Sequence, residues 1–268
     1  MDFKAKTKEI RWLTLSCIAS IGVGHVGGCM SIAEVLSVLY SKHMRVDPNN
    51  PDKQGRDRLV ISKGHAGPAL YATLASFGYF DKKELLTLNR LGTSLPSHCN
   101  MQLTPGVDMT AGSLGQGISC GVGLALGSKL NKDGARIYVI VGDGENQEGQ
   151  VWEAAMLSAH KKLDNFTVFV DNNKMQIDGL TKDVVNIESI ADKWRAFGFE
   201  VMEVDGHNEN AIDEAITQAK TVEGKPTCIV LNTVKGYGVS IFEKMGFANH
   251  STAVSAELLE ASLKELED

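Results

Sequence analysis

Asp143 and Asn173 are the residues from which chemistry is easiest to argue. Asp143 stands between Gly142 and Gly144 in VGDGENQEG, directly after the apolar run RIYVIV at 136–141. Asn173 stands in VDNNKMQIDG, after the run FTVFV at 166–170. The two lie 30 residues apart, one helix-plus-strand unit. A right-handed crossover sets successive parallel strand ends side by side, so a carboxylate and an amide oxygen converge on one point. Oxygen donors suit a hard cation such as Mg2+, which completes its octahedron with phosphate oxygens and water. Gly144 removes a side chain and lets backbone amides approach a diphosphate. The N-terminus of the following helix adds free N–H groups and a favourable dipole. A plain βα turn would explain Gly-Asp-Gly or Asn-Asn taken singly. Their pairing at adjacent strand ends favours a Mg2+-diphosphate site.

The elements that position this pair follow from periodicity. Ile10, Leu13 and Ile18 have helical spacing and predict a helix over 3–19. Ser31 is expected to cap a helix over 32–43, with Glu34 at the capping-box position. Short apolar runs predict strands at 58–62, 136–141, 166–170, 199–204 and 227–231. Helices are expected at 69–77, 114–130, 150–162, 188–197 and 210–219, and irregular backbone over 92–117. Strands alternating with helices imply an α/β fold, doubly wound, with a mostly parallel sheet and helices on both faces. Ligands in such sheets bind outside the carboxyl ends of the strands. No repeat or Ser/Pro-rich linker interrupts the pattern, so residues 1–268 read as a single domain. The small residues of Gly117–Gly127 permit close packing, on the core or on another subunit.

Composition narrows the function classes. A net charge of −6 argues against nucleic acid as a partner. The five cysteines are scattered and form no C-x-x-C pair, so a disulfide framework or zinc site is not expected and a reducing cytoplasm is. The N-terminus is charged rather than signal-like. No apolar run is long enough to cross a bilayer.

GDGENQEG followed by DNNKMQIDG resembles the thiamine-diphosphate motif. SKGHA at 62–66, TAGSLGQG at 110–117 and GHVGG at 24–28 resemble the matching segments of transketolases. The resemblance runs from about Gly22 to His250. It implies thiamine diphosphate and Mg2+ as cofactors, with Ca2+ or Mn2+ able to substitute. Asp143, Asn173 and the backbone carbonyl of Met175 would be the metal ligands. Gly144 would contact the diphosphate, Ile177 the thiazolium, and Gly112 with Leu114 the aminopyrimidine. Glu148 and Glu153 match acidic positions at a subunit interface; a solvated first helical turn is their bland alternative.

The resemblance also implies that His25, His65, His98 and His250 line a sugar channel, with His65 and His250 close to the cofactor. Such groups bind hydroxyls and move protons. His43, His160 and His207 carry no motif and read as structural. Lys235, in VKGYG, matches a family segment. The implied reaction moves a two-carbon ketol unit from a ketose, such as a sugar phosphate, to an aldose, as in pentose phosphate metabolism. The expected partner is a C-terminal transketolase subunit carrying the pyrimidine-binding domain, in an α2β2 heterotetramer. Three alternatives stand beside this: an α-type 2-oxo-acid dehydrogenase subunit, a deoxyxylulose-phosphate synthase subunit, and a non-catalytic binding subunit. SKGHA and GSLGQG favour transketolase. Val26 after His25 and Cys99 after His98 stand where the family has Pro. A specialised transketolase for a sulfonated or branched sugar would accommodate those departures.

Overall fold

The computed structural model describes residues 2–267. Its centre is a five-stranded sheet of β1 (Arg58–Ile61), β2 (Ile137–Gly142), β3 (Phe166–Asn172), β4 (Glu200–Asp205) and β5 (Thr227–Asn232). Every pairing in it is parallel, in the order β1-β2-β3-β5-β4. Side chains alternate between two apolar layers. Tyr138, Ile140, Phe169, Ile229 and Leu231 enter one core. Ile137, Val139, Val141, Val168, Val170 and Val230 enter the other. Both faces are therefore buried, which is why these strands are continuous apolar runs rather than alternating ones.

The first layer is built by α1 (Phe3–Ala19), α2 (Val26–Met30), α3 (Ala33–Val38) and α4 (Gly67–Ser76). The second includes α5 (Gln116–Asn131), α6 (Gly149–His160) and α7 (Ile190–Ala196). Helix α8 (Glu209–Ala219) joins the first layer. Helices α9 (Ser240–Met245) and α10 (Ala256–Glu267) complete the chain. Between them, Thr252–Ala253 pairs antiparallel with Val23–Gly24 and ties the end of the chain to its beginning. The small residues of α5 divide by face. A Cβ on Gly117 would sit 2.7 Å from Ser62 Cα, so this helix approaches β1 only because glycine is there. Gly123 and Gly127 face open space instead.

The capping box expected at Ser31 is not formed. Helix α3 starts after Ile32, and a wider turn, Leu39–His43, follows it. The Ser31 hydroxyl instead donates to Asp171 on β3 at 2.7 Å. The buried Glu34 carboxylate takes the Arg11 guanidinium of α1 at 2.5 Å. Burial explains both: a capping box suits an exposed helix start, whereas here two polar groups inside the protein must satisfy other buried polar groups.

Candidate active site

Strands β2 and β3 are neighbours with Gly142 opposite Asp171, so their carboxyl ends lie side by side. Asp143 follows one and Asn173 the other. Asp143 is buried. Its carboxylate accepts the Gly144 N–H at 2.7 Å and the Lys174 N–H. Burial, with the nearby Asp171 charge, pushes its carboxyl up to about 7 despite those two donors. An acid so raised is relieved by an adjacent cation.

Asn173 is oriented by its neighbour. Asp171 can only accept, so the Asn173 amide nitrogen faces it at 2.9 Å and the amide oxygen is turned to the Met175 N–H at 3.1 Å. Asp171 also receives Lys63 Nζ at 2.6 Å, Ser31 Oγ and Thr233 Oγ1. The donor set of Asp143, the Asn173 amide and a backbone carbonyl fits a hard divalent cation. A Cβ on Gly144 would meet Gln176 Cβ at 2.9 Å, so only glycine keeps this corner open.

Above the strand ends lies a cavity of about 320 Å³. Gly112, Leu114, Asp143, Gly144, Glu148, Asn173, Met175 and Ile177 line it together with His25, His65, His98 and His250. The histidines come from four separate segments. Ring centroids are 5.4 Å apart for His25–His65, 5.8 Å for His25–His98, 5.3 Å for His25–His250 and 4.8 Å for His65–His250. Every site residue expected from the sequence is gathered here except Glu153, which is exposed on α6 outside the cavity. Ile177 is 62% exposed at the mouth.

Val26 and Cys99, which depart from the family pattern, are buried and do not line the cavity. Both side chains belong to the first apolar core, beside the histidine-bearing segments. His43 and His207 lie outside the cavity lining, each against a carboxylate, Asp213 and Glu34 respectively.

Lys63, Glu145 and Lys235 also line the cavity, and all three are buried. Glu145 accepts from Ser62 Oγ, from the Gly115 N–H at 2.8 Å and from the Gly142 N–H at 3.1 Å. One carboxylate thereby fastens together three glycine-rich segments that are far apart in sequence. Lys235 Nζ lies 3.3 Å from His250 Nδ1. Burial and the Lys63 charge bring the Lys235 ammonium down to about 8.

Three of the imidazoles, His25, His65 and His250, are held toward the neutral form. Burial, then Lys63, keeps His65 well below its ordinary value. Burial, then Lys235, takes His250 to about 4, and burial lowers His25. The unfolded chain protonates histidine near 6.5, so this contribution to stability is complete above that pH and is lost as the pH falls. Asp143 and Glu145, with raised carboxyls, work in the opposite sense. The comparison that isolates the histidine is therefore His250→Gln against the unaltered chain in urea. Between pH 7.5 and 5 the variant should gain about 1 kcal/mol relative to the unaltered chain, after allowing for the partial exposure of His250.

Fold and cavity define the class first: a parallel α/β chain whose ligand site stands at the carboxyl ends of adjacent strands. Residues 3–266 match the family described as "Transketolase, thiamine diphosphate binding domain", and the chain belongs to that family. It is 52% identical over 267 residues to the 6-deoxy-6-sulfo-D-fructose transketolase subunit of Clostridium sp. (strain MSTE9), covering all of this chain and 97% of that one. It is 38% identical to an apulose-4-phosphate transketolase subunit of Phocaeicola vulgatus, over 91% of this chain and 86% of the relative. Transketolase from Leishmania mexicana superposes with a TM-score of 0.92 at 31% identity. This chain is covered entirely in that match and spans 41% of the solved one. The chain is thus a transketolase subunit of the N-terminal type. No described helix is long and apolar enough to cross a membrane.

Proposed function

We propose that this chain, with a second subunit carrying the pyrimidine-binding domain, transfers a two-carbon ketol unit from a sulfonated ketose to an aldose. The carrying observation is the convergence of four histidines from four segments over the Asp143–Asn173 pair. The sulfonated donor follows from the likeness to the Clostridium subunit, which spans both chains almost completely. A branched sugar phosphate is the second reading, supported by the apulose-4-phosphate relatives.

In this reading residues 1–268 are one diphosphate-binding domain. Asp143, Asn173 and the Met175 carbonyl hold Mg2+, and Gly144 lets the diphosphate approach. Gly112 and Leu114 meet the aminopyrimidine, and Ile177 the thiazolium. Thiamine diphosphate, when bound, supplies the electron sink that lets the bond beside the donor carbonyl break. His25, His65, His98 and His250 bind donor hydroxyls; as free bases, His25, His65 and His250 can take a proton from them. Glu148 and Glu153 face the partner subunit in an α2β2 heterotetramer. The five free thiols, four of them buried, support a reducing cytoplasm as the location.

The test is to combine the chain with the C-terminal-type transketolase subunit of the same organism, thiamine diphosphate and Mg2+. Donors would be 6-deoxy-6-sulfofructose, apulose 4-phosphate, xylulose 5-phosphate and fructose 6-phosphate. The mixture should favour the sulfonated ketose by at least about tenfold in kcat/KM, ~1.4 kcal/mol in transition-state binding. Full activity from this chain alone would refute the two-subunit reading. Preference for xylulose 5-phosphate would refute the sulfonated donor.

A further inference from the structure

Lys235 is set apart from the other buried lysine of the cavity. Lys63 is neutralised by Asp171 at 2.6 Å. Lys235 is 3% exposed, lines the cavity, and has no carboxylate within ion-pair distance among the described residues. Its Nζ lies against the His250 imidazole, which burial holds toward the neutral form. A buried ammonium without a counter-charge is costly until an anion arrives. Where it sits depends on the backbone of 233–238, the segment that leaves β5.

That backbone is pinned on both sides of Lys235. The Gly236 N–H donates to Gly27 O at 3.1 Å, and the Lys235 carbonyl accepts Asn249 Nδ2 at 3.1 Å. On the other side the Val234 N–H donates to His207 Nε2 at 2.8 Å. A backbone N–H can only donate, so Nε2 is the bare nitrogen and the ring proton is on Nδ1. Nδ1 lies 3.0 Å from the buried Glu34 carboxylate, which accepts it. Glu34 is fixed in turn by Arg11 at 2.5 Å. Tyr237 stacks on the imidazole with centroids 3.5 Å apart and planes 14° apart, and the Arg11 guanidinium lies 5.0 Å from the Tyr237 ring centroid. Ring position, tautomer and face are all determined, and the one group the ring offers onward is an acceptor for the residue before Lys235.

We propose that His207 is a positioning residue: through Glu34 on one nitrogen and the Val234 N–H on the other, it sets Lys235 in the cavity as the cation for the ligand's anionic group. The inference rests on the functional reading above for the identity of that ligand. It places a role at a histidine outside the cavity that carries no catalytic motif. The burial that loosens the Lys235 proton is relieved when a diphosphate or sulfonate pairs with it, so a misplaced loop is felt as weaker anion binding.

Two substitutions separate this role from packing. His207→Asn keeps an amide N–H near the Nδ1 position for Glu34 but offers Val234 no acceptor. His207→Gln places an amide oxygen near the Nε2 position and restores that acceptor. The protein is studied with its partner subunit, and two readouts are taken. Calorimetry with Mg2+ measures thiamine diphosphate affinity, and hydrogen exchange follows the Val234 and Gly236 amides in the cofactor-free chain. His207→Asn should weaken thiamine diphosphate about tenfold, as should Lys235→Met, and speed exchange at Val234. His207→Gln should recover both to within about twofold. In a Lys235→Met background, His207→Asn should cost nothing further in affinity. Equal damage from Asn and Gln, or a full His207→Asn loss in the Lys235→Met background, would overturn the proposal. If the unaltered complex fails to bind thiamine diphosphate, the functional reading falls, and the exchange measurement still decides whether His207 holds the loop.

Discussion

Asp143→Ala should lower thiamine diphosphate affinity in the presence of Mg2+ by at least about 100-fold, since groups one step removed from a metal already cost 10–100-fold. The cofactor-free variant should be no less stable than the parent at pH 8. The two expectations come from one fact. Burial raises the Asp143 carboxyl to about 7, so at pH 8 the folded chain carries an ionised acid its surroundings disfavour. Two backbone donors stabilise it, and burial outweighs them. Without metal, alanine removes that cost; in the proposed Mg2+ site, alanine would remove a ligand. Calorimetry for binding and urea unfolding for stability measure the two separately. Unchanged Mg2+-dependent binding would refute the metal assignment. Collapse of the fold would show that Asp143 is a structural acid.

Asp171→Ala should cost about 3–5 kcal/mol of stability, the range for stripping one partner from a buried ion pair. The loss leaves the Lys63 ammonium, itself 2% exposed, with only the Gly28 carbonyl at 2.7 Å among the described residues. Ser31, Thr233 and Asn173 lose an acceptor at the same time. Burial alone would push the Asp171 carboxyl up; the charge and hydrogen bond of Lys63 outweigh it and hold it below the ordinary carboxylate range. The stability it contributes is therefore present above about pH 4 and lost on further acidification. Adding Lys63→Met to Asp171→Ala should recover about 2 kcal/mol, because the orphaned charge is gone. Urea unfolding of the two single variants and the double variant measures this coupling, and strict additivity would refute it. Cofactor affinity should fall in Asp171→Ala as well, since the Asn173 amide is then oriented by the Met175 N–H alone.

The strands were legible because each is a short apolar run buried on two faces, a pattern that a surface helix or a loop does not produce. Asp143 and Asn173 were legible because a βαβ unit converts a 30-residue separation into adjacency. The histidine loops were found through family likeness, since nothing local distinguishes His65 from a surface imidazole. Ser31 and Glu34 show where local rules fail. Their spacing matches a capping box, but each is claimed by a group distant in sequence, Asp171 and Arg11. Lys63 and Glu145 escaped notice for the same reason. A lysine after a strand and an acid at the start of a helix ordinarily face water. Only partners 108 and 83 residues away, Asp171 and Ser62, draw them inside. Val26 and Cys99 looked like changes to the substrate channel, but an apolar residue beside a histidine can as easily face the core.

The Glu145 brace limits how such a site can change over generations. Its carboxylate holds SKGHA, GSLGQG and GDG in fixed relation, so an insertion or deletion in any one would displace the other two. The floor of the cavity is thereby braced as a block, whereas the exposed Ile177 at the mouth lies outside that brace.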